Sequence, residues 1–250
     1  MLLLYIIIVL FVLYSLLLFH YGQTWNKVPD YTPAQRATTR VSVLIPARNE
    51  EKNIAVLLNA LLKQSYPSGQ TEIIVIDDHS SDLTASVVQS YPQVRLIQLT
   101  EDALNSYKKK AIEIAIAQST GELIVTTDAD CFAKEHWLQT IAAFYEEYDP
   151  VFIAAPVGIR LAASSSQNTP QGKFLQIFQA LDFMTLQGIT GASVHKKIHS
   201  MCNGANLAYT KKAFSEVGGF AGIDNIASGD DMLLMHKIYK LYPDKVMFLK

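Results

Sequence analysis

The sequence is poor in several features that commonly announce a function. Net charge is −2 and no basic block occurs. That excludes a sequence-independent nucleic-acid binder, which gathers many Lys and Arg on one face. There are only two cysteines, Cys131 and Cys202, with no CxxC spacing; they fit a reducing compartment and say little more. No GxGxxG and no GxxxxGK[ST] occurs, so the common dinucleotide cradle and the P-loop are both missing. His195 and His199 share the i, i+4 spacing of a helical metal site, but neither an HExxH motif nor a third ligand accompanies them. No internal repeat is found.

One long run lacks charge altogether. "MLLLYIIIVLFVLYSLLLF" is apolar apart from Ser15. As a helix it reaches roughly 28 Å, close to the ~30 Å hydrocarbon core of a bilayer. No basic region precedes it, and no small-x-small cleavage site follows in "HYGQTWNKVP". Residues 1–21 therefore read as a retained transmembrane anchor. A buried core helix is the alternative, but such helices rarely lack a polar stripe. Lys27, Arg36 and Arg40 follow the run and no Lys or Arg precedes it. The positive-inside rule then puts the portion after the anchor on the cytoplasmic side of the cell membrane. Tyr21 and Trp25 fit interfacial anchors.

Residues 22–40 are polar, contain two prolines and read as a linker. Beyond them, apolar runs of strand length alternate with segments of helical period. "VSVLIPARNE", "EIIVIDD", "VRLIQL", "GELIVTTD" and "VFIAAPVGI" read as strands, and the stretches between them as helices. The alternation predicts an α/β domain over residues 41–250, with a largely parallel sheet flanked by helices. Residues 162–172 form a small polar loop. The apolar segment "KFLQIFQALDFMTLQGITGASV" after it is helical, either packed in the core or facing outward at a binding or membrane surface.

In open α/β sheets, ligands bind outside the carboxyl ends of the strands. Those ends are acidic here. Strand one ends at "PARNEE", strand two at Asp77 and Asp78, and the fourth at Asp128 and Asp130. An Asp-x-Asp at a strand end suits a divalent cation shared with phosphate oxygens; two solvated acids in a turn are the alternative. Asp230 and Asp231 lead into a helix, either as an N-terminal pair favoured by the helix dipole or as a carboxylate held to accept a proton.

Taken in order, "VSVLIPARNEE", "EIIVIDDHSSDLT", "YKKKAIEIAI", "TTDAD", "NGANLAYTKKAFSEVGGF" and "SGDDMLLMHKI" resemble the family 2 glycosyltransferases, which have a GT-A type fold. The resemblance runs from about Val41 to the end of the chain. It implies transfer of a sugar from a nucleotide-diphosphate sugar, with inversion, to a sugar or lipid-linked acceptor hydroxyl in cell-envelope, polysaccharide or glycolipid synthesis. It implies that Pro46, Ala47, Arg48 and Glu50 line the base and ribose pocket, and that Asp77 and Asp78 recognise the nucleoside. Lys108 then lies near the donor, with Tyr107 where the family often has glycine. Asp128 contacts ribose, and Asp128 with Asp130 binds Mg²⁺ or Mn²⁺. Asp231 is the general base, with Asp230 in place of the family's glutamate. No Gln-x-x-Arg-Trp motif follows. A shortened member or a fragment without its acceptor-side elements is expected, and a non-catalytic transferase-fold module at the membrane is the competing reading.

Overall fold

The computed structural model describes residues 1–99, 107–160, 170–198, 201–224, 226 and 228–250. In chain order its elements are α1 (Leu2–Trp25), β1 (Val41–Ala47), α2 (Ile54–Leu62), β2 (Thr71–Asp77), α3 (Thr84–Gln89), β3 (Val94–Gln98), α4 (Tyr107–Gln118), β4 (Leu123–Thr126), α5 (Trp137–Tyr148), β5 (Phe152–Ala154), α6 (Pro170–His195), β6 (Leu207–Thr210), α7 (Lys211–Glu216), α8 (Asp230–Leu241) and β7 (Val246–Phe248). The strands form one sheet in the order β3-β2-β1-β4-β6-β5-β7. β3, β2, β1 and β4 run parallel. β6 is antiparallel to both β4 and β5, and β7 is parallel to β5. This is the expected α/β architecture, with one reversed strand in a mostly parallel sheet.

Period-two alternation sorts the strand residues between two cores. Val43, Ile45, Val75 and Val125 face the layer of α2 and α5, against Leu57, Leu58, Leu138 and Phe144. Leu44, Ile74, Ile76 and Ile124 face α4, α7 and α8, against Ile112, Phe214, Leu234 and Ile238. Each fully buried Val, Leu, Ile or Phe contributes about 1.5–3 kcal/mol relative to exposure. Burial on both faces is why these strands read as unbroken apolar runs. β5 is shorter than "VFIAAPVGI" suggests. The Ala155 N–H still bonds Asn206 O at 3.1 Å, but Pro156 has no N–H to offer and pairing stops.

The N-terminal region departs from the expected boundaries. α1 continues past Tyr21 to Trp25. Residues 26–40 then run over the domain: Val28 and Ala37 are buried, Tyr31 meets Phe144 edge-on at 5.0 Å, and the Thr38 and Thr39 N–H groups donate to Glu146 Oε1 at 2.7 and 2.8 Å. α1 is exposed along its apolar length and packs beside α6. Among the described residues it is the one helix long and apolar enough to cross a membrane, with a mean hydropathy of 3.0.

α6 has two characters. Its last turns bury Gln187, Thr190, Ala192, Ser193 and Val194 in the domain, whereas Phe174, Phe178, Leu181 and Met184 before them are exposed. Most of the expected loop, its residues 162–169, lies outside the described residues, as does His199; Pro170 already begins α6 and His195 ends it.

Candidate active site

β2, β1 and β4 are neighbours, so their carboxyl ends open onto one edge of the sheet. Two turns there are built around backbone that few residues adopt. Asn49, after β1, has φ 57° and His79, after β2, has φ 53°. Asn and His are among the residues that tolerate the left-handed region best. The turns are laced together. Asn49 N donates to Ser80 Oγ at 2.9 Å, Ser81 N to Asn49 Oδ1 at 2.8 Å, Glu50 N to Thr84 Oγ1 at 2.7 Å and Leu83 N to Glu51 Oε2 at 3.0 Å.

The acids of β2 differ in their surroundings. Asp78 lies 3.6 Å from Arg48 Nη1 and 3.0 Å from His79 Nδ1. Asp77 is buried, and its Oδ1 has no hydrogen-bond partner among the described residues. An unpartnered buried carboxylate oxygen is costly, and a ligand N–H would satisfy it. Ala47 places its side chain in the core and its carbonyl on Asp78 N, 2.8 Å away. Of the residues expected around the base and ribose, Ala47 thus offers backbone alone.

Pro46, Arg48, Glu50, Lys108, Asp128, Ala129 and Asp130 line one open cleft of about 350 Å³. Asp128 and Asp130 sit in the turn after β4, closed by Cys131 N donating to Asp128 O at 3.1 Å. Lys108, from the first turn of α4, donates to Asp128 Oδ1 at 2.9 Å. No group of three or more His, Cys, Asp or Glu side chains is placed to hold a metal ion by itself among the described residues. The donor set is therefore a pair of carboxylates at a cleft roomy enough for a diphosphate. That fits Mg²⁺ or Mn²⁺ completed by phosphate oxygens and water, and not a closed protein cage.

The third acidic element comes from α8. Gly229, with φ 75°, turns the chain into the helix, and Asp230 and Asp231 form its first turn. The Asp231 carboxylate presses on Gly204: a Cβ there would stand 2.4 to 2.7 Å from its atoms. Gly204 is in turn tied to β4, because Thr126 Oγ1 donates to Gly204 O at 2.9 Å. This brings Asp231 to the Asp128 end of the site. Burial pushes Asp231 above the ordinary carboxylate range, and the charges of Asp230 and Asp128 push the same way. Lys108 and the Gly204 N–H pull it back only in part.

In the sequence Asn203-Gly204 is simply a turn signal, and the space that Gly204 clears for Asp231 does not show there. Nor does the burial of Lys109, which lies among three lysines that look like a solvated face.

The glycosyl transferase family 2 profile matches residues 42–218. The chain is 30% identical over 136 residues to poly(ribitol-phosphate) beta-N-acetylglucosaminyltransferase TarS of Staphylococcus aureus, covering 54% of this chain and 23% of that one. It is 34% identical over 112 residues to beta-monoglucosyldiacylglycerol synthase of Trichormus variabilis, covering 43% and 24%. The chain thus spans about a quarter of the length of these relatives. Its fold is similar to the mannosyltransferase PcManGT of Pyrobaculum calidifontis, solved with GDP-Man and Mn²⁺. The TM-score is 0.66 at 23% identity, covering 93% of this chain and 61% of that one. The GT-A type fold expected from the sequence is the fold found.

Proposed function

The chain belongs to glycosyl transferase family 2, and we propose that it is an inverting glycosyltransferase, using a nucleoside-diphosphate sugar and Asp231 as general base. The observation that carries this reading is the carboxylate of Asp231. It is half-buried against Gly204, raised above its usual range, and set beside the Lys108–Asp128 pair.

Arg48, Asp77 and Asp78 take the nucleoside, with the unpartnered Asp77 Oδ1 suited to a base N–H. Asp128 and Asp130 would hold Mg²⁺ or Mn²⁺, which when bound supplies positive charge against the diphosphate. The acceptor hydroxyl oxygen forms a bond to the anomeric carbon. The bond from that carbon to the diphosphate oxygen breaks, and its electron pair leaves with the nucleoside diphosphate. The hydroxyl proton goes to Asp231. One base on the face opposite the leaving group inverts the anomeric centre, and no covalent intermediate is needed. A carboxylate with a raised pKa is a better proton acceptor for a weakly acidic hydroxyl.

The acceptor is a lipid-linked or membrane-presented hydroxyl. Two features support this: the apolar exposed α1, and the outward Phe174, Phe178, Leu181 and Met184 of the neighbouring α6. The similarity to a diacylglycerol glycolipid synthase points the same way. α1 holds the chain in the cell membrane with the domain on the cytoplasmic side, where Lys27, Arg36 and Arg40 fit the positive-inside rule.

The test uses membranes containing the full chain, a panel of UDP-, GDP- and dTDP-sugars, and Mg²⁺ or Mn²⁺. Asp231→Asn should lower transfer by about 10²–10⁴-fold while sparing donor binding; persistence of transfer would exclude Asp231 as base. EDTA or Asp130→Ala should weaken donor binding, and unchanged binding would remove the metal assignment. Binding without turnover across a broad acceptor panel would favour a non-catalytic module.

A further inference from the structure

Lys108, Lys109 and Lys110 are consecutive in α4, yet the first two point to different halves of the site. Lys108 reaches Asp128. Lys109 is 2% exposed. Its ammonium donates to Ile223 O at 2.8 Å and to Ile226 O, and lies 3.5 Å from Asp230 Oδ1. Taking an ammonium out of water costs several kcal/mol even after relaxation. An apolar side chain would fill the same space without that penalty. The charge is useful for what it holds: two main-chain carbonyls and one carboxylate.

Those acceptors all belong to the route into the base. The turns over residues 217–224 and Ile226 precede α8, and Asp230, itself 7% exposed, is the immediate neighbour of Asp231. One ammonium therefore restrains the chain just upstream of Asp231 and the residue beside it. The same helical turn, through Lys108, restrains Asp128. A helical turn is stiff, so it acts as a spacer between the two sides of the cleft.

We propose that Lys109 is a positioning residue for transfer: by tying the chain entering α8 to the first turn of α4, it sets where Asp231 stands relative to Asp128. The proposal rests on Asp231 being the base.

Lys237 supplies the control. From α8 it donates to Gly219 O at 2.6 Å and Ala221 O at 2.7 Å, gripping the same turns at points further from the base. It shares the structural task of Lys109 without the contact to Asp230.

The experiment compares Lys109→Met and Lys237→Met with the unaltered full chain in detergent. It measures UDP and GDP affinity in the presence of Mn²⁺, the kcat and donor KM of transfer in the donor panel, the melting temperature, and hydrogen exchange over residues 217–240. Lys109→Met should lower kcat by about 10–100-fold, the scale of a 1 Å misplacement. Donor KM and nucleotide affinity should stay within about twofold, and exchange should rise at the start of α8. Lys237→Met should lower the melting temperature and keep kcat within about threefold, the expectation for a restraint remote from the reacting atoms. Stranding Asp230 could unfold Lys109→Met, so Lys109→Met with Asp230→Asn removes both charges; the double variant should fold and keep the low kcat at unchanged KM. A folded single or double variant with normal kcat overturns the proposal. So does an equal loss of kcat and nucleotide affinity, or the same kcat–KM split in Lys237→Met. Asp231→Asn separates the two readings: if it transfers normally, or if the unaltered chain transfers nothing, the base assignment fails and takes the role of Lys109 with it.

Discussion

The two sides of the cleft are held by different means. On the donor side, the turns after β1 and β2 are stitched by short polar side chains to main-chain N–H groups: Ser80, Asn49, Thr84 and Glu51 each accept such a bond. On the base side, the turns before α8 are gripped by two lysine ammoniums, and Asp231 stands in a space that only glycine leaves open. Such bonds contribute about 1 kcal/mol each, somewhat more where the acceptor is the Glu51 carboxylate, so the donor side spreads its stability over many small terms. The base side concentrates it in a few groups. Single substitutions should therefore be severe on one side and mild on the other.

The sharpest break in that contrast is Gly204→Ala. The added Cβ would stand 2.4 Å from Asp231 Oδ2 and displace the carboxylate. Transfer should fall by about 100-fold with nucleotide affinity retained; steady-state kinetics and calorimetry read both, and an unimpaired variant would show that the base does not depend on this notch. Next comes pH. Asp231 is raised by burial, so the acid limb of kcat should lie above the range of an ordinary aspartate. Lys108 is the cation that lowers it. Removing that charge disfavours the carboxylate, so Lys108→Met should move the limb to higher pH, and a limb that stays or falls would contradict the placement. The mildest effect belongs to the donor side. Asn49→Ala puts a Cβ-bearing residue without a polar side chain at φ 57° and deletes the bond to Ser81 N. Urea unfolding should show a loss of about 1–2 kcal/mol, with kcat within about threefold. A large kcat loss there would erase the difference between the two sides.

The same contrast governs what could be read from the chain alone. Asp77, Asp78, Asp128 and Asp130 stood out because each pair follows a β-branched apolar run, and the end of such a run is a place in the fold. The sheet was legible for the same reason. Gly204 was not, because an Asn-Gly pair has a sufficient local explanation as a turn, and the carboxylate it accommodates lies 27 residues later. Lys109 was hidden by its neighbours: three lysines in a row look like one wet surface, and only the packing of residues 217–224 against α4 reveals that the middle one is dry. β5 was overestimated because apolar character continues past Pro156, which has no N–H to offer the sheet. The linker expected at residues 22–40 was judged by polarity, which does not distinguish a free tether from one held by Glu146 and Phe144.

Trp25 gives that last point a mechanical meaning. Its ring meets Phe248 edge-on at 5.9 Å, lies under the Lys250 ammonium at 4.8 Å, and fits against Gly191, where a Cβ would come within 2.6 Å. The end of α1 is thus keyed into the last strand and into α6. With α1 in a bilayer, as proposed, the anchor behaves as an axle and not as a leash. The domain can turn together with the helix and drift laterally with it, but it cannot nod freely relative to it, so its cleft would sweep a ring at constant height. An acceptor would then be selected by how far its hydroxyl stands from the membrane, before any contact reads its chemistry.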